Sequence, residues 1–198
     1  MARNAQETRG KLVRAAYEQM HEHGFQGMRV DQVLKQTNLQ KGAFYHHFKS
    51  KTELGYAVVE EEIRDLLEAV WLRPIAEMDN PVTDIPELLK SLSQRAPQLM
   101  KEHGCPLNNL AQEMSKLDDG FQQRIDASFN LWINTLAEKM DEAKQKGYVR
   151  NDLDTHAVSR FIIGVIEGCI SISKVEKSSQ QFTAVHSQIS GYLNGLQA

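Results

Sequence analysis

The chain has 198 residues, of which 41% are hydrophobic and 25% are charged, and its formal net charge is −3. This balance is typical of a globular protein of one or two domains and argues against a mainly disordered or fibrous chain. No apolar run approaches the roughly 18 residues of a membrane span, no secretory signal opens the chain, and two cysteines are too few for a disulfide scaffold, so we expect a cytoplasmic protein.

Apolar residues at helical spacing occupy the N-terminal third of the chain. They recur every four positions from Leu12 onward and predict an amphipathic helix that Gly24 ends. Ser50 and Glu53 form a capping box that opens a longer helix, which we expect to stop before Pro74. The helices predicted in this part of the chain span about residues 7–23, 30–37, 40–48 and 52–72.

The remaining two-thirds of the chain has the same helical period. Asp84 is expected to cap a helix that follows a linker and tolerates Pro86 in its first turn. Pro97 is expected to kink or split this helix, and Pro106 to begin another. The last predicted helices span about residues 119–146, 154–174 and 179–196. No segment fits the period of a strand better than that of a helix, so the sequence predicts an all-α fold.

Two short predicted helices, 30–37 and 40–48, are joined by a tight turn at Asn38-Leu39, and Asn38 tolerates left-handed geometry. Such a pair forms a helix-turn-helix, whose second helix enters the major groove of DNA. That second helix begins polar and basic and ends aromatic and basic, while Phe44 and Phe48 are expected to hold its other side against the core.

The charge of the chain is unevenly distributed. Residues 1–56 carry a net charge of +4 and residues 57–198 one of −7, so only the N-terminal part is expected to approach a polyanion. The alternative is that the charges cluster by chance and that residues 30–51 form an ordinary helical hairpin with a solvated basic face. Periodicity, turn chemistry and polar surface residues agree with one another, and we therefore adopt the DNA-binding interpretation.

Several N-terminal segments together resemble the DNA-binding domain of the TetR family: Phe25-Gln26-Gly27-Met28-Arg29-Val30, Val33-Leu34, Asn38-Leu39, Lys41-Gly42-Ala43-Phe44-Tyr45-His46-His47-Phe48 and Ser50-Lys51. The resemblance covers about residues 7–60, and the rest of the chain matches only in length and helical layout. It implies a one-component, homodimeric transcription factor, usually a repressor, that binds a small-molecule effector. Residues 1–52 would form a three-helix DNA-binding domain with the helix-turn-helix, and residues 53–198 a larger helical domain for effector binding and dimerisation.

The family positions that contact DNA carry over residue by residue. The implied contacts to the DNA backbone are Arg29, Tyr45, His47 and Lys51. The implied contacts to bases or phosphates are Gln40, Lys41 and His46, and Gly42 is expected to let the helix approach the sugar–phosphate wall. The chain departs from the family pattern at Met28, Arg29, Thr37-Asn38 and Gln40, and the resemblance therefore does not supply an operator sequence.

The last two predicted helices are candidates for joining two subunits. The first of them is apolar over more than one face, and Gly164 and Gly168, four residues apart, would permit close approach of another helix. The resemblance favours a four-helix bundle between subunits over the alternative that these residues only complete the core of one chain. The predicted dimerisation residues are Phe161, Val165, Gly168, Ile172, Phe182, Val185, Ile189 and Tyr192.

Large apolar residues of the middle helices are candidate effector contacts. Aromatic and methionine side chains at helical spacing are also the usual material of a core, which is the alternative for each of them. An apolar lining would suit a hydrophobic or aromatic effector, whose binding would shift the dimer between states that can and cannot bind DNA. The candidates are Trp71, Met100, Met114, Phe129, Trp132 and Phe161.

Cys105 precedes Pro106, a residue suited to the first position of a helix, and would therefore be the N-cap. Helix N-termini stabilise thiolates, which suggests a thiol that senses oxidants or electrophiles. The alternative is a small buried hydrophobic residue at a bend. A metal site begun by His103 and Cys105 lacks obvious partners in the sequence.

Two other classes of protein remain to be weighed. Gly-x-Ser-x-Gly, His-Glu-x-x-His, a phosphate-binding glycine loop and Cys-x-x-Cys are all absent, so we predict no enzyme, no cofactor and no metal. A helical ligand carrier would have no use for the basic surface between Lys41 and Lys51. Salt dependence distinguishes a regulator from a carrier. The affinity of a regulator for duplex DNA falls steeply as salt rises, whereas a carrier does not bind DNA at any salt concentration.

Overall fold

The computed structural model describes residues 2–95, 102–176 and 180–198, and the side chains of 5–94, 102–175 and 186–198. Within these ranges every regular element is a helix, apart from an isolated antiparallel bridge between Val149 and Gln197. The all-α prediction is confirmed. Each of the described helices is too short or too polar to span a bilayer.

The helices follow one another with short connections. In chain order they are α1 Ala2–Gly27, α2 Val30–Thr37, α3 Lys41–His47, α4 over residues 51–76, α5 Pro81–Arg95, α6 Pro106–Met114, α7 Asp119–Gln145, α8 Thr155–Glu176 and α9 Gln180–Asn194. Helix α4 consists of consecutive segments, Lys51–Val58, Val59–Ile63, Arg64–Leu67, Glu68–Leu72 and Arg73–Ala76, of which the second and fourth have wider, π-type turns.

Local signals place the helix-turn-helix as expected. Helix α2 has the predicted bounds, and Asn38 follows it with the left-handed φ of 54°. The N–H of Leu39 then donates to the carbonyl of Leu34 at 3.0 Å, which closes the turn. The Ser50 hydroxyl accepts a hydrogen bond from the N–H of Glu53 at 3.0 Å, as the capping box requires.

Gly24, at φ 75° and ψ 167°, interrupts α1 as predicted, and a short helical stretch continues beyond it to Gly27. Two other predicted helix boundaries were wrong. Pro74 does not stop α4, because the wider turn at Glu68–Leu72 directly precedes it and changes the hydrogen-bonding pattern that a proline would break. Helix α5 begins at Pro81, so Asp84 is not its cap.

Asn80 caps the first turn of α5, and Asp84 inside the helix binds back to the preceding loop. Asn80 Oδ1 accepts from the N–H of Val82 at 3.0 Å, and the Asp84 carboxylate accepts from the N–H groups of Asp79 and Asn80 at 3.0 Å. Pro86 therefore lies inside the helix rather than in its first turn. Pro97, the predicted kink, lies outside the described residues.

The chain forms two compact units. Unit 1 comprises Met1–Leu66 and Pro106–Ala127, and unit 2 comprises Leu67–Cys105 and Ser128–Ala198. The core of unit 1 includes Phe44, Leu54 and Phe121, all almost fully buried. Helix α6 and the start of α7 thus pack with the N-terminal helices, which the sequence did not indicate. The proposed division at residue 52 stays a prediction.

A close approach within unit 1 depends on Gly55 in α4. A Cβ atom at this position would lie 2.6 Å from the ring of Phe25 and 2.7 Å from the ring of Phe121. These two rings lie with their centroids 4.6 Å apart. The N-terminal helices and the beginning of α7 therefore share one closely packed core.

Candidate nucleic-acid interface

Helix α3 has one buried face and one exposed face. Phe44 and Phe48 are 1% and 2% exposed, respectively, whereas Tyr45 is 63% exposed. Lys41 and His46 are exposed as well. Phe44 and Phe48 anchor the helix, so its polar and aromatic side chains point away from the core, which is the geometry that a recognition helix needs.

The residues that precede α2 and α3 are exposed and do not cap those helices. Arg29 and Gln40 occupy the N-cap positions with extended backbone, and neither side chain makes a capping hydrogen bond. Gly42 is exposed, and a Cβ atom there would have nothing within 4 Å. Lys41 Nζ lies 3.3 Å from the Asp31 carboxylate, and both side chains are largely exposed. This end of α3 is therefore open to a ligand.

The two histidines at the end of α3 differ in their surroundings. Their rings lie edge to face with centroids 4.9 Å apart. Burial lowers the pKa of His47 below its ordinary value, and the charges of His46 and Arg9 lower it further. The lowered pKa favours the neutral form of His47, whose ring N–H can donate a hydrogen bond to a phosphate oxygen.

Lys51, the implied phosphate ligand at the start of α4, is held within unit 1. Its ammonium donates to the carbonyl of Gln26 at 3.0 Å and lies 4.8 Å from the centroid of the Phe25 ring. Desolvation lowers the pKa of Lys51, and the charge of Glu113 opposes that shift. Its ammonium is thus fixed against the Phe25–Gln26 segment that precedes Arg29 in the chain.

The candidate effector residues do not all come together. In unit 2, the rings of Trp71 and Trp132 lie with centroids 4.6 Å apart, and both are buried. Phe129 is partly buried, whereas Phe161 is half exposed and lies against Tyr192. Met114 belongs to unit 1, and Met100 lies outside the described residues. The effector assignments stay predictions.

A small cavity lies in unit 1. Its volume is about 10 Å³, and it is lined by residues that include Tyr17, His21 and Leu110. Such a space holds about one water molecule. None of the predicted effector residues lines it, so it has no bearing on the proposed effector site.

Cys105 is buried beside an acidic residue. It is 8% exposed, and its thiol lies near the carboxyl group of Glu167, whose pKa it lowers. A reactive thiol is usually exposed and lies near a cation. The surroundings of Cys105 therefore do not favour the sensor hypothesis, which stays a prediction.

Glu167 is the acidic group on the inner side of α8. Burial raises the pKa of Glu167 to about 7, although the Cys105 thiol lowers it slightly. Within the described ranges, neither carboxyl oxygen of Glu167 has a hydrogen-bond partner. Sequence reasoning missed this residue, for which the available signal was one acidic side chain inside the apolar run from Ile162 to Ile172.

The predicted dimerisation residues fall into two groups. An exposed apolar stripe runs along α8 through Phe161, Val165, Gly168, Ile172 and Val175, of which Val165 is partly buried. On α9, Tyr192 lies against Phe161 with ring centroids 4.6 Å apart, whereas Ile189 is buried. The side chains of Phe182 and Val185 lie outside the described residues.

Within the described ranges, no three His, Cys, Asp or Glu side chains come together as a metal site would require.

Two family models match this chain. Residues 12–58 match the model described as bacterial regulatory proteins of the tetR family, and residues 85–189 match the tetracyclin repressor-like C-terminal domain. The first match contains the helix-turn-helix, and the second contains α6, α7 and α8.

Individual proteins of known sequence or structure are similar along most of their length. The transcriptional regulator AcuR of Cereibacter sphaeroides is 31% identical over 83% of this chain and 75% of its own. The transcriptional repressor DhaR of Mycobacterium sp. strain GP1 is 26% identical over 87% and 85%, respectively. A TetR transcriptional regulator of known structure from Chloroflexus aurantiacus has a TM-score of 0.87 with 22% identity, covering 98% of each chain.

Proposed function

Because the chain belongs to the TetR family of bacterial transcriptional regulators and is not an enzyme, we propose that it represses transcription as a homodimer. It binds a palindromic operator through two helix-turn-helix units and is released by a small effector. Bacterial DNA lies in the cytoplasm, and we therefore propose that this transcriptional regulator is cytoplasmic. The single observation that carries this proposal is the outward polar face of α3, where Lys41, Tyr45 and His46 are exposed.

The α3 face supports DNA binding by its chemistry as well as its exposure. A major groove about 12 Å wide admits a helix whose small residues lie against the wall and whose polar residues reach base edges. Gly42 supplies the small position, and Gln40 and Lys41 lie at the N-terminal end that reads bases in such complexes. Arg29 and Lys51, at the starts of α2 and α4, supply cations for the flanking phosphates.

The direct test is selection of bound sequences from random duplex DNA by the purified protein. The selected duplex then serves in mobility-shift titrations of the wild type, Tyr45→Ala and Lys41→Ala over a range of salt. We expect each variant to bind about tenfold more weakly, and Lys41→Ala to reduce the log–log salt slope by about one. Lys90→Ala, which removes an exposed lysine from unit 2, is the matched control and should change nothing.

Two outcomes would contradict the DNA-binding proposal. Failure of the wild type to enrich any sequence, at low as well as moderate salt, would favour a helical ligand carrier instead. Full affinity in both α3 variants would mean that a different surface contacts DNA.

The homodimer is proposed from the exposed stripe on α8. An apolar row of this length is unusual on the surface of a monomer and marks an interaction site. Gly168 in its middle has nothing within 4 Å of a Cβ position, which leaves room for another helix. Ile172→Glu should convert dimers to monomers in sedimentation. It should also abolish operator binding, because a single helix-turn-helix unit makes too few contacts with DNA. Lys90→Glu is the control, and a dimeric Ile172→Glu protein would refute this interface.

The effector is proposed to be an apolar or aromatic compound that binds near the tryptophan pair of unit 2. The indole nitrogen of Trp132 is buried and has no hydrogen-bond partner within the described residues. Buried donors in proteins are nearly always satisfied, so an effector with an acceptor oxygen would complete this site. Thermal-shift screening of aromatic phenols, quinones and carboxylic acids should identify stabilising compounds. Trp132→Phe should weaken their effect, and a response unchanged by this substitution would move the site elsewhere.

A further inference from the structure

The corner at residues 24–26 leads the chain from α1 into the helix-turn-helix. Gly24 has φ 75° and ψ 167°, so the helical pattern of hydrogen bonds stops there. The N–H groups of Phe25 and Gln26 consequently need acceptors other than the carbonyls of the preceding turn. Met28 N–H then donates to the carbonyl of Gly24 at 3.0 Å, and Arg29 follows as the N-cap of α2.

Glu113, near the end of α6, supplies both acceptors. Its Oε2 accepts from the N–H of Phe25 at 2.9 Å, and its Oε1 accepts from the N–H of Gln26 at 2.8 Å. Hydrogen bonds to a charged acceptor are roughly twice as strong as neutral ones. A Cβ atom on Gly24 would lie 2.8 Å from Oε2, so the absence of a side chain there lets the carboxylate approach.

Lys51 completes the arrangement by binding the carbonyl group of Gln26. Its ammonium donates to the carbonyl of Gln26, 3.0 Å away, and lies over the Phe25 ring. The charges of Lys51 and Glu113 attract each other. Residues 25–26 are thus held by a carboxylate from α6 and an ammonium from α4, and both groups lie in unit 1.

Glu113 comes from a different part of the chain than the helix-turn-helix it holds. It lies within the match to the C-terminal family domain, whereas the corner lies within the match to the N-terminal one. We propose that Glu113 is a positioning residue for DNA binding. It fixes the corner at residues 24–26, which Arg29 follows and Lys51 binds, and so sets both cations against the operator backbone. This inference rests on the proposed function.

The test compares Glu113→Ala and Glu113→Gln with the wild type on the selected duplex. We expect Glu113→Ala to bind about tenfold more weakly, with a log–log salt slope lower by about one to two, because the two phosphate contacts lose their alignment. Glu113→Gln keeps one carbonyl oxygen, and its affinity for the duplex should lie between those of Glu113→Ala and the wild type. Hydrogen exchange of the Phe25 and Gln26 amides should rise in Glu113→Ala.

Two controls separate positioning from general stability. Gln112→Ala changes an exposed neighbour on α6, and Tyr56→Phe removes the 2.6 Å hydrogen bond to Asp118 elsewhere in unit 1. Both should keep the wild-type salt slope. Should Glu113→Ala fail to fold, Glu113→Gln decides the comparison in the same way.

The inference and the proposed function fail differently. A wild type that binds no duplex would remove the proposed function itself. A wild type that binds, together with a Glu113→Ala protein that has faster exchange at residues 25 and 26 but affinity within about twofold and an unchanged salt slope, would overturn the inference alone. An equal loss in Tyr56→Phe would overturn it as well.

Discussion

Glu61 binds the guanidinium group of Arg9 through both carboxylate oxygens, at 2.5 and 2.7 Å, and so joins α4 to α1. Arg9 also lies 5.2 Å from the centroid of the Phe48 ring, which anchors the end of α3. The neighbouring carboxylates bind other arginines: Glu60 with Arg124 at 2.7 Å and Glu62 with Arg14 at 3.0 Å. Three consecutive acidic residues thus tie together different helices of unit 1.

We predict that Glu61→Gln lowers the free energy of unfolding by about 0.5–1 kcal/mol. The side chains of Arg9 and Glu61 are 36% and 40% exposed, so solvent screens much of their attraction. Urea titrations followed by circular dichroism at low and high salt would measure the change. The difference between wild type and variant should shrink as salt rises. A difference independent of salt would mean that packing rather than charge accounts for it.

We expect Asp31→Asn to raise the affinity for the operator about two- to fivefold at low salt. The substitution removes a negative charge from the surface proposed to face DNA and releases Lys41 from its 3.3 Å ion pair. Glu87→Gln, which removes an exposed partner of Lys90 in unit 2, is the matched control. Mobility shifts that show equal or weaker binding by Asp31→Asn would argue that this end of α3 does not approach phosphates.

The substitution Gly42→Ala should affect folding and DNA binding in opposite directions. A Cβ atom at this helical position meets nothing within 4 Å, so alanine should stabilise the free protein by about 0.5–1 kcal/mol. The same methyl group should weaken operator binding if the helix lies close to the DNA wall. Gly10→Ala in α1, also with open space around it, should stabilise without changing affinity. Increased stability with unchanged affinity in Gly42→Ala would show that this glycine is not a close-approach position.

Glu167 should make the stability of the chain depend on pH. Its folded-state pKa of about 7 lies above the ordinary 4.5, so between these values the unfolded state binds fewer protons than the folded state. The stabilising effect of the proton is complete below this window and is lost as pH rises through it.

Glu167→Gln removes the titrating group and should be about 2–3 kcal/mol more stable than the wild type near pH 8, with little difference near pH 5. Urea unfolding at both pH values would measure this, with the exposed Glu138→Gln as the control. A difference between wild type and variant that does not change with pH would contradict the raised pKa.

The parts of the fold that could be predicted from the sequence are those with local causes. Asn38, with its left-handed backbone, and the Ser50–Glu53 capping box act over a few residues. The predicted bounds of α2 therefore agree with the structure, and those of α3 differ by one residue at each end. The outward direction of Tyr45 and Lys41 follows from the spacing of Phe44 and Phe48.

Features that depend on distant parts of the chain could not be predicted. Glu113 and Phe25 are 88 residues apart, and no periodicity marks one partly buried glutamate as the acceptor for a distant backbone amide. The inclusion of α6 in unit 1 has the same cause. The helix end predicted at Pro74 was wrong for a different reason. The wider turn before Pro74, which lets the helix continue, has no distinct sequence signature.

The pairing of Trp71 with Trp132 has a practical consequence for studies in solution. The chain has two tryptophans, and both belong to unit 2, with ring centroids 4.6 Å apart. Intrinsic indole emission therefore monitors the environment of unit 2 alone. Unfolding or rearrangement confined to unit 1 would not change that emission. A fluorescence titration with DNA therefore needs a probe attached near α3.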